Sequence, residues 1–374
     1  MARSFESLLN KKPTWFSGVG EYSDVIIGSM VRVVRNLSGH AFPGWSTAEG
    51  RRKVSELLLP HILQLPGNKA MAFYAEMAAL DYVQRRIFLE RKQISQCMAA
   101  RQDGCHVVIN NKQDITYMIN EEEHLVMHLF SDSCNHSALI QKAEKITREL
   151  EKDVHFAKNK SGEYLTSIPM EAGTGIQLYT ILQLPALNTA EMMPQIHRAL
   201  EKLMLHISPF YSSMGDDVAG LFVIYTPTIP IGGEVEIAEH LLSTALTLAQ
   251  RELEVRECLN HESHPVAILP DLIGRAYGLL KYACKLEYRE FLNALCMLRL
   301  GAVMGYIKPI DKTVDEYISY LVQFYPQAGP FHMQERFDLP EVLSIDARVC
   351  IGRKILEHTE LITDFTPTEL TFLL

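Results

Sequence analysis

The sequence predicts an α+β protein, in which a region of mixed strands and helices is followed by a helical region. Short β-branched runs alternate with amphipathic helical stretches in the first part, whereas strand-like runs almost vanish from His261 onward. Runs of strands followed by runs of helices are typical of this class. Because 374 residues exceed one ordinary core, we expect two domains, 1–258 and 259–374, with a boundary near Cys258 to Pro265, where helix-breaking residues cluster.

Composition, charge and cysteine spacing favour a folded soluble protein and argue against several other classes. Hydrophobic residues make up 47% and charged residues 22% of the chain, as in folded soluble domains. The net charge of −9 gives no reason to expect nucleic acid or an anionic membrane as the main partner. The seven cysteines have no C-x-x-C spacing, which disfavours a zinc ribbon or a disulfide framework and suits a reducing cytosol. With no signal-peptide core and no apolar run of about 18 residues, we expect a cytoplasmic protein without a membrane span.

Helices and strands alternate through the first 152 residues. A short helix is expected over Ser4–Asn10, and the Val- and Ile-rich stretch Asp24–Val34 predicts a strand. Apolar residues at helical spacing predict a helix over Ser46–Leu63, with Ser46 or Thr47 as its N-cap. The following elements are Ala70–Met77, left open between strand and helix, a charged helix Tyr82–Lys92, strands His106–Ile109, Ile115–Ile119 and His124–Phe130, and a helix Ser137–Lys152.

The three strands between residues 106 and 130 are expected to pair antiparallel. Asn110-Asn111 separates the first two strands and supplies turn chemistry with room for positive φ. Further along, the predicted elements are a strand Gly162–Thr166, an apolar run Ile176–Leu184, a helix Thr189–Leu205, a strand Gly220–Thr226, and helices Glu236–Cys258, Leu269–Leu286, Arg289–Tyr306, Thr313–Phe324 and Pro340–Leu356.

Three consecutive carboxylates, Glu121, Glu122 and Glu123, lie between two predicted strands within Thr116–Phe130. Adjacent glutamates repel one another and cannot all be buried, so they belong at the exposed end of a strand pair, where one of them could face a cavity. A carboxylate near opposite charge stays ionised and can accept a proton, which makes this a place for a general base. The alternative is a solvated acidic turn, which is the usual fate of a charge run.

Two further features point to an anion. Arg32 and Arg35 stand at the far end of the predicted strand Asp24–Val34, and arginines in a half-buried strand need anionic partners unless they extend into solvent. Gly173-Thr174-Gly175 is a flexible turn between two apolar segments, and such a turn lets backbone N–H groups approach an anion. A single G-T-G is a weak signal, and a plain turn is the alternative.

Three stretches, in this order, resemble motifs of the phosphagen (ATP:guanidino) kinase superfamily, and are most similar to the bacterial protein-arginine kinases. SDVIIGSMVRVVRNLSGHAFP resembles the family's N-terminal strand, S-S-R-[IV]-R-x-x-R-N, and INEEEHLVMHLF resembles N-E-E-D-H-[LI]-R-I-x. GEYLTSIPMEAGTGIQLYTILQLPAL resembles G-Y-L-T-S-C-P-[ST]-N-x-G-T-G-[LM]-R-A-S-V. Glu234 to Glu257 resembles the helix that closes the kinase domain, and RAYGLLKYA and LRLGAVMGYI resemble parts of the C-terminal domain of protein-arginine kinases.

The resemblance covers nearly the whole chain and implies a fold and a site. It implies a kinase domain built on an antiparallel sheet flanked by helices, followed by an all-helical C-terminal domain. It implies that Glu122 is the catalytic base, with Glu121 beside it. It further implies that ATP binds at Arg32, Arg35 and the turn Gly173, Thr174 and Gly175, with Mg²⁺ bridging the phosphates and no metal site made by the protein alone.

Most of the family's phosphate-binding arginines are replaced in this chain. Phosphoryl transfer from ATP needs dense positive charge around the phosphates. The family's arginine positions fall on Met30, Val126, Gln177 and Ser208, its reactive cysteine falls on Ile168, and the glutamate of a downstream motif falls on Ser213.

The predicted helical tail departs from the family as well. The family's R-D-x-x-R-A motif, which recognises phosphoarginine, falls on a stretch with Asp346 at the aspartate position and Ile345 at the arginine position. Without that guanidinium, phosphate recognition is not expected. Asp346 is predicted instead to lie at a helix N-terminus and to face the helix dipole. The Met-, Leu- and Cys-rich run Leu295–Met304 is predicted to be core, with an interface as the alternative.

Together these features predict a protein-arginine-kinase homologue that keeps the fold but is catalytically impaired, a pseudokinase that binds a partner protein or forms homodimers. The first alternative is an active kinase that transfers the ATP γ-phosphate to arginine in proteins or to a small guanidino compound. Cations converging opposite Glu122 would favour that alternative, and His124, His128 and Arg35 are the nearest in sequence. The second alternative is a scaffold with no nucleotide binding. The resemblance implies a zinc-containing activator and the Clp protease machinery as partners.

Overall fold

One antiparallel sheet underlies the first part of the chain. The computed structural model describes residues 4–11, 13–15, 22–69, 72–101, 103–210, 220–260, 268–322, 324–325, 329, 341–357 and 359–362. The strands of this sheet are β1 Ile26–Arg35, β2 Phe73–Glu76, β3 His106–Ile109, β4 Ile115–Ile119, β5 Leu125–Ser131, β6 Ile176–Gln183, β7 His206–Pro209 and β8 Leu221–Tyr225.

The strands join in the order β2-β3-β4-β5-β1-β6-β8-β7, and every pairing is antiparallel. The long strand β1 is central, and its Arg32 lies opposite His128 on β5 and Gln177 on β6. The antiparallel sheet predicted from the sequence is therefore confirmed.

Helices pack against the sheet, and several of them have a short polar residue as their N-cap. Thr47 caps one helix by accepting from the Gly50 N–H, and Asp81 and Gln84 form a capping box at another. Such oxygens satisfy N–H groups that have no partner within the helix. The helices of this region are α1 Phe5–Leu9, α2 Ala48–Gln64, α3 Tyr82–Glu90, α4 Gln96–Ala100, α5 His136–Leu150, α6 Pro185–Thr189, α7 Met193–Lys202 and α8 Glu234–Asn260.

Both faces of the sheet carry apolar clusters, because side chains alternate between the faces along each strand. Val31 and Val33 belong to the main core, to which α2, α5 and α8 contribute. Val34 and Val126 belong to a second cluster with side chains of α1, α3 and α4, namely Leu8, Phe88, Leu89 and Met98. On the second face, Arg32 is left half-buried beside that cluster.

The C-terminal part is mostly helical, with α9 Ile268–Tyr282, α10 Tyr288–Val303, α11 Val314–Val322 and α12 Glu341–Leu356. It also contains a two-stranded antiparallel ladder of β9 Ile307–Pro309 and β10 Thr359–Leu361, which the all-helical expectation lacked. Three-residue strands are too short to produce a periodic signal in the sequence. The domain boundary stays a prediction, since residues 261–267 lie outside the described residues.

A buried polar network joins the sheet to the C-terminal helices. Arg299 of α10 donates from Nη1 to Gln183 Oε1 on β6 (2.5 Å) and to the Asp24 carbonyl (3.2 Å), and Gln183 donates back to the backbone of α10. Nearby, Arg256 Nε bonds Glu252 Oε1 at 2.8 Å, and both side chains are buried. Because buried polar groups need partners, these bonds fix how the two parts meet.

The predicted strands at 106–109 and 115–119 are confirmed, whereas two other predicted elements are wrong. Gly162–Thr166 is not a strand, and Tyr164 makes only isolated bridges, to Lys158 and Gly173. The predicted helix Thr189–Leu205 is shorter, because α6 ends at its first residue and α7 begins only at Met193, with Pro at its second position.

The turn between β3 and β4 is built by Asn110, but not in the predicted way. Positive φ occurs at Gln113 (59°) and not at Asn110 or Asn111. Asn110 contributes through its side chain, whose Oδ1 accepts from the N–H groups of Asp114 and Ile115, both at 3.1 Å. The asparagine therefore acts as an acceptor in the turn rather than as a left-handed residue.

Candidate active site

The three consecutive glutamates form the connection between β4 and β5, at one end of the sheet. Asn120 opens this connection in the left-handed region, with φ of 59°. Its Nδ2 donates to the carbonyls of Arg51 (2.8 Å) and Gly104 (2.7 Å). Asparagine tolerates this conformation better than most residues. The φ of Asn120 and these side-chain bonds therefore fix the path of the backbone into the three glutamates.

Two of the three carboxylates are buried and accept hydrogen bonds from other residues of the protein. Glu121 is buried and accepts from the hydroxyl of Ser95, the N-cap of α4, and from the backbone N–H of the next residue (2.7 Å). Glu123 is also buried and accepts from Asn36 Nδ2 (2.6 Å) and from the N–H (2.8 Å) and hydroxyl (2.7 Å) of Ser167. These donors stabilise the buried negative charges.

Glu122 is the exposed member of the three. Partial burial raises the pKa of its carboxyl, the Glu121 carboxylate raises it further, and the Arg32 guanidinium opposes both. Glu123 and Glu171 add smaller effects that also raise this pKa. A raised pKa makes a carboxylate a stronger base, so the local chemistry suits a proton acceptor.

Arg32 lies beside this turn on the half-buried face of β1. Its Nη1 donates to Gln177 Oε1 at 3.0 Å, and the same oxygen accepts from the Tyr179 hydroxyl at 3.2 Å. Across β5, burial and the Arg32 charge lower the pKa of His128 to about 3, so this imidazole is neutral near pH 7. The guanidinium therefore has a neutral side chain on each flanking strand.

His124 holds the acidic turn to the loop after β1. Its Nδ1 accepts from the Leu37 N–H (3.0 Å), and its Nε2 donates to the Ala41 carbonyl (2.9 Å). These two bonds select a neutral tautomer, and burial lowers the pKa of His124 to about 4. His124 is therefore a neutral structural link rather than a cation facing Glu122.

Arg35 does not line the site, contrary to its predicted role in cofactor binding. It is 3% exposed, and its Nη1 donates to the carbonyls of Val34 (2.6 Å) and Thr174 (2.8 Å). Its guanidinium stacks 3.6 Å from the ring centre of Tyr164. Burial lowers the pKa of Arg35 to about 10, whereas Tyr164 and the Glu151 carboxylate, which accepts from the Tyr164 hydroxyl, oppose this shift.

The Gly173-Thr174-Gly175 turn is also occupied by the protein itself. The Gly173 N–H donates to the Tyr164 carbonyl (3.4 Å), and both the N–H (3.1 Å) and hydroxyl (2.7 Å) of Thr174 donate to the Ile229 carbonyl. Gly175 has a φ of 64° and approaches the backbone of β1 closely. The predicted approach of these N–H groups to an anion is wrong for Gly173 and Thr174, because carbonyls already use them.

The replaced motif positions do not rebuild a cationic pocket. Val126 is fully buried in the second apolar cluster, and Met30 is half-buried against the main core. Ile168 is 49% exposed, and Ser208 is half-buried on the edge strand β7. Ser213 lies outside the described residues.

The opposite end of the strands is covered by aromatic side chains and Lys92. Trp15, 2% exposed, stacks on Phe130 of β5 with 4.3 Å between ring centres. Lys92 lies 4.9 Å from the ring centre of Phe210, and burial lowers the pKa of Lys92 to about 8. Phe210 bonds the first residue of β8, so this cation is at the strand end far from Glu122.

In the tail, Asp346 is the sixth residue of α12, beyond the first turn, and its side chain is exposed. The predicted position at the helix N-terminus is therefore wrong. The side chain of Ile345 lies outside the described residues.

Sequence reasoning missed the residues that hold the acidic turn. Asn36 ends the strand motif, so its place in that motif could have signalled a role. Ser167 likewise lies in the third motif, at the serine of L-T-S-C-P. Ser95 lies in none of the three motifs, and its partner Glu121 is far away in sequence.

Within the described ranges, no group of three or more His, Cys, Asp or Glu side chains could hold a metal ion. No helix in the described part of the chain is long and apolar enough to cross a membrane.

Comparison with known proteins gives consistent matches. The ATP:guanido phosphotransferase C-terminal catalytic domain matches residues 54–255, and the protein-arginine kinase McsB C-terminal domain matches residues 267–337. The chain is 30% identical over 310 residues to the protein-arginine kinase of Moorella thermoacetica, covering 81% of this chain and 87% of that protein. It is 27% identical over 326 residues to the protein-arginine kinase of Bacillus cereus strain G9842, covering 86% and 90%.

Solved structures share the fold. The crystal structure of lombricine kinase matches with a TM-score of 0.52 and 17% identity, over 67% of this chain and 76% of that chain. The substrate-free duplicated taurocyamine kinase from Schistosoma mansoni matches with a TM-score of 0.55 and 17% identity, over 78% and 42%. At these identities the likeness shows the fold alone.

Proposed function

This chain belongs to the ATP:guanido phosphotransferase family as a protein-arginine kinase homologue, and we propose that its phosphoryl transfer is impaired. It acts instead through a bound partner protein or as a homodimer. The charge around Glu122 carries this proposal. Within the described residues, the charges that act most on Glu122 are three carboxylates, Glu121, Glu123 and Glu171, and one guanidinium, Arg32.

The side chains around Arg32 do not fit a magnesium-bound triphosphate. Its Nη1 is bonded to Gln177, its neighbour His128 is neutral, and Met30 and Val126 are apolar. Phosphoryl transfer needs several cationic groups around the phosphates, and apolar side chains add a desolvation cost instead. A triphosphate at this place would therefore meet one guanidinium and otherwise neutral or apolar side chains.

The expected loss in rate is large. Removing one preorganised electrostatic donor typically lowers the rate by about 10²–10³. A transition-state arginine is worth about 10³ or more in phosphoryl transfer. The effects of residues that act together do not add simply. Even so, replacing several arginines is expected to take transfer below detection.

An active kinase is the second candidate, and one observation favours it. Unlike its two neighbours, Glu122 presents an exposed carboxylate that accepts no hydrogen bond within the described residues. In that role Glu122 would take the proton from the attacking guanidinium nitrogen, and Arg32 would contact a phosphate.

The deciding experiment measures Mg-ATP binding by calorimetry and phosphoarginine formation by mass spectrometry. Wild type, Glu122→Gln and Arg32→Ala are compared on an arginine-containing protein substrate. Impaired transfer predicts no phosphoarginine above the Glu122→Gln background. Phosphoarginine that forms in wild type and disappears in Glu122→Gln would overturn the proposal. Saturable ATP binding lost in Arg32→Ala would mean that a nucleotide pocket survives, whereas no binding at millimolar ATP would favour a scaffold.

The proposal also assigns the chain to the cytoplasm. None of the seven cysteines forms a disulfide within the described residues, and three of them, Cys258, Cys284 and Cys350, are exposed. Exposed free thiols suit a reducing compartment. Fractionation of cells that express the tagged chain tests this assignment directly.

A further inference from the structure

A groove of about 450 Å³ lies between α3 and α4. Arg85, Arg86 and Leu89 line it from α3, and Ala99 and Ala100 line it from α4. The two helices contact one another, so the groove is formed by packed helices and not by loops.

The charge of the groove contrasts with that of the chain. Its charged lining side chains are both arginines, in a protein of net charge −9. Arg85 donates from Nε to the Leu80 carbonyl (3.0 Å) and from Nη1 to the Arg101 carbonyl (3.1 Å). These bonds hold its stem, and its Nη2 makes no bond within the described residues. A held guanidinium loses little rotamer entropy when it binds a carboxylate.

Apart from the polar Gln96, the remaining lining residues form an apolar floor and an aromatic rim. Leu89 is 8% exposed and forms part of the second apolar cluster, and Ala99 packs against the same cluster. Tyr82 is 67% exposed at the start of α3. Small side chains let a partner backbone come close, and Tyr and Arg are enriched where interfaces bind most strongly.

We propose that this groove binds an acidic segment of a partner protein. A carboxylate of that segment pairs with Arg85 and Arg86, and a neighbouring apolar side chain rests on Leu89 and Ala99. The charge complementarity selects an acidic partner over a basic or neutral one. The inference does not depend on whether Glu122 supports phosphoryl transfer.

Binding in the groove is linked to the acidic turn through α4. Ala99 and Ala100 line the groove, and Ser95, the N-cap of the same five-residue helix, donates to Glu121. A partner that shifts α4 therefore acts directly on the hydrogen bond that holds Glu121.

The test uses a short fluorescein-labelled peptide of Glu and Leu, with an equally long peptide of Gln and Leu as the neutral probe. Fluorescence anisotropy is measured on the full chain. Saturable binding of the acidic peptide is expected, with affinity lowered about tenfold or more in Arg85→Glu/Arg86→Glu. The matched control is Arg198→Glu, which makes the same change in charge at an exposed position on α7 and should shift affinity less than about twofold.

A second variant keeps the test informative if the double variant does not fold. Ala100 is exposed, so Ala100→Trp fills the groove without changing charge, and it should also weaken the acidic peptide about tenfold. The proposal is overturned if neither peptide binds saturably, if the neutral peptide binds equally well, or if Arg198→Glu weakens binding as much as the groove variants. An RNA oligonucleotide that binds the groove more tightly than the acidic peptide would also overturn it.

Discussion

The three glutamates of the acidic turn lie in two different environments, although they are identical residues. Glu121 and Glu123 are buried and surrounded by donors, whereas Glu122 is exposed. The difference comes from partners far away in sequence, Ser95 for one and Asn36 for the other. A run of identical residues therefore gave the correct place for the turn, but its sequence alone did not separate buried carboxylates from the exposed one.

His124 makes a pH-dependent contribution to stability. Its pKa in the folded protein is about 4, below the ordinary value of 6.5. As pH falls below 6.5 the unfolded chain takes up a proton and the folded chain does not, so this contribution is full above pH 6.5 and is lost as pH falls towards 4. The expected slope is up to about 1.4 kcal/mol per pH unit.

Urea unfolding of wild type and His124→Gln at several pH values checks this. The variant should be less stable at pH 7.5, because the bonds to Leu37 and Ala41 are altered, yet it should lose less stability on acidification. His128, also neutral when folded, leaves part of the acid sensitivity in both proteins. Equal pH slopes for the two proteins would show that His124 is not the titrating group.

At the scale of elements, the turn before β6 depends on the lack of a side chain at Gly175. An added Cβ there would lie 2.7 Å from the Val34 carbonyl oxygen and 2.8 Å from Arg35 Nη1. Gly162 is a matched control, because its φ is also positive (87°) and its Cβ would meet no atom within 4 Å.

Both glycine-to-alanine variants should lose stability, but unequally. Gly162→Ala is expected to lower the free energy of unfolding by about 1–2 kcal/mol, the cost of a left-handed alanine. Gly175→Ala should lose about 2 kcal/mol more, because overpacking is added to the backbone strain. Chemical denaturation measures both values. Similar losses would mean that the turn moves away from β1 without cost.

The elements that the sequence predicted are apolar runs. Those that it missed are short or depend on hydrogen-bond partners far away in the chain. β1, β3 and β4 are runs of β-branched and apolar residues, which predict strands without help from the rest of the chain. β7 was missed because it has four residues and ends in a proline. For the Gly173–Gly175 turn the sequence left a plain turn and an anion site open, because the carbonyl that accepts from Thr174 belongs to Ile229, more than fifty positions later.

At the scale of the whole molecule, Arg299 is expected to couple the sheet to the C-terminal helices. Arg299→Met keeps much of the apolar stem but removes the donor to Gln183 Oε1 and to the Ser23 carbonyl. The Asp24 carbonyl keeps only its bond from Arg256 Nη2 (3.3 Å). Each buried acceptor left unpaired costs about 1–3 kcal/mol, so a loss of about 3 kcal/mol or more is expected.

Calorimetry of Arg299→Met measures this loss as a lower Tm. The matched control is Arg275→Met, which removes an exposed arginine bonded to Asp271 on α9 and should cost no more than about 1 kcal/mol. If the two variants melt at the same temperature, the network around Arg299 does not hold the two parts together.

The overall architecture followed from three motifs in the right order, whereas the contacts between the two parts did not. The network of Arg299, Gln183 and Asp24 joins positions separated by more than one hundred residues. No local pattern marks such a contact, because it arises only when β6 and α10 pack together. The fold was therefore predictable from the sequence, and the chemistry of its junction was not.

The stacking of Trp15 on Phe130 provides an optical reporter of the sheet face. The chain has two tryptophans, and the other, Trp45, is 86% exposed. In Trp45→Phe, all indole emission would come from Trp15. The stacking partner of Trp15, Phe130, lies on β5 and contacts His128 of the same strand. A ligand that binds between this aromatic stack and Arg32 would change the wavelength or the intensity of the Trp15 emission. Binding could therefore be measured without a label and without catalytic turnover.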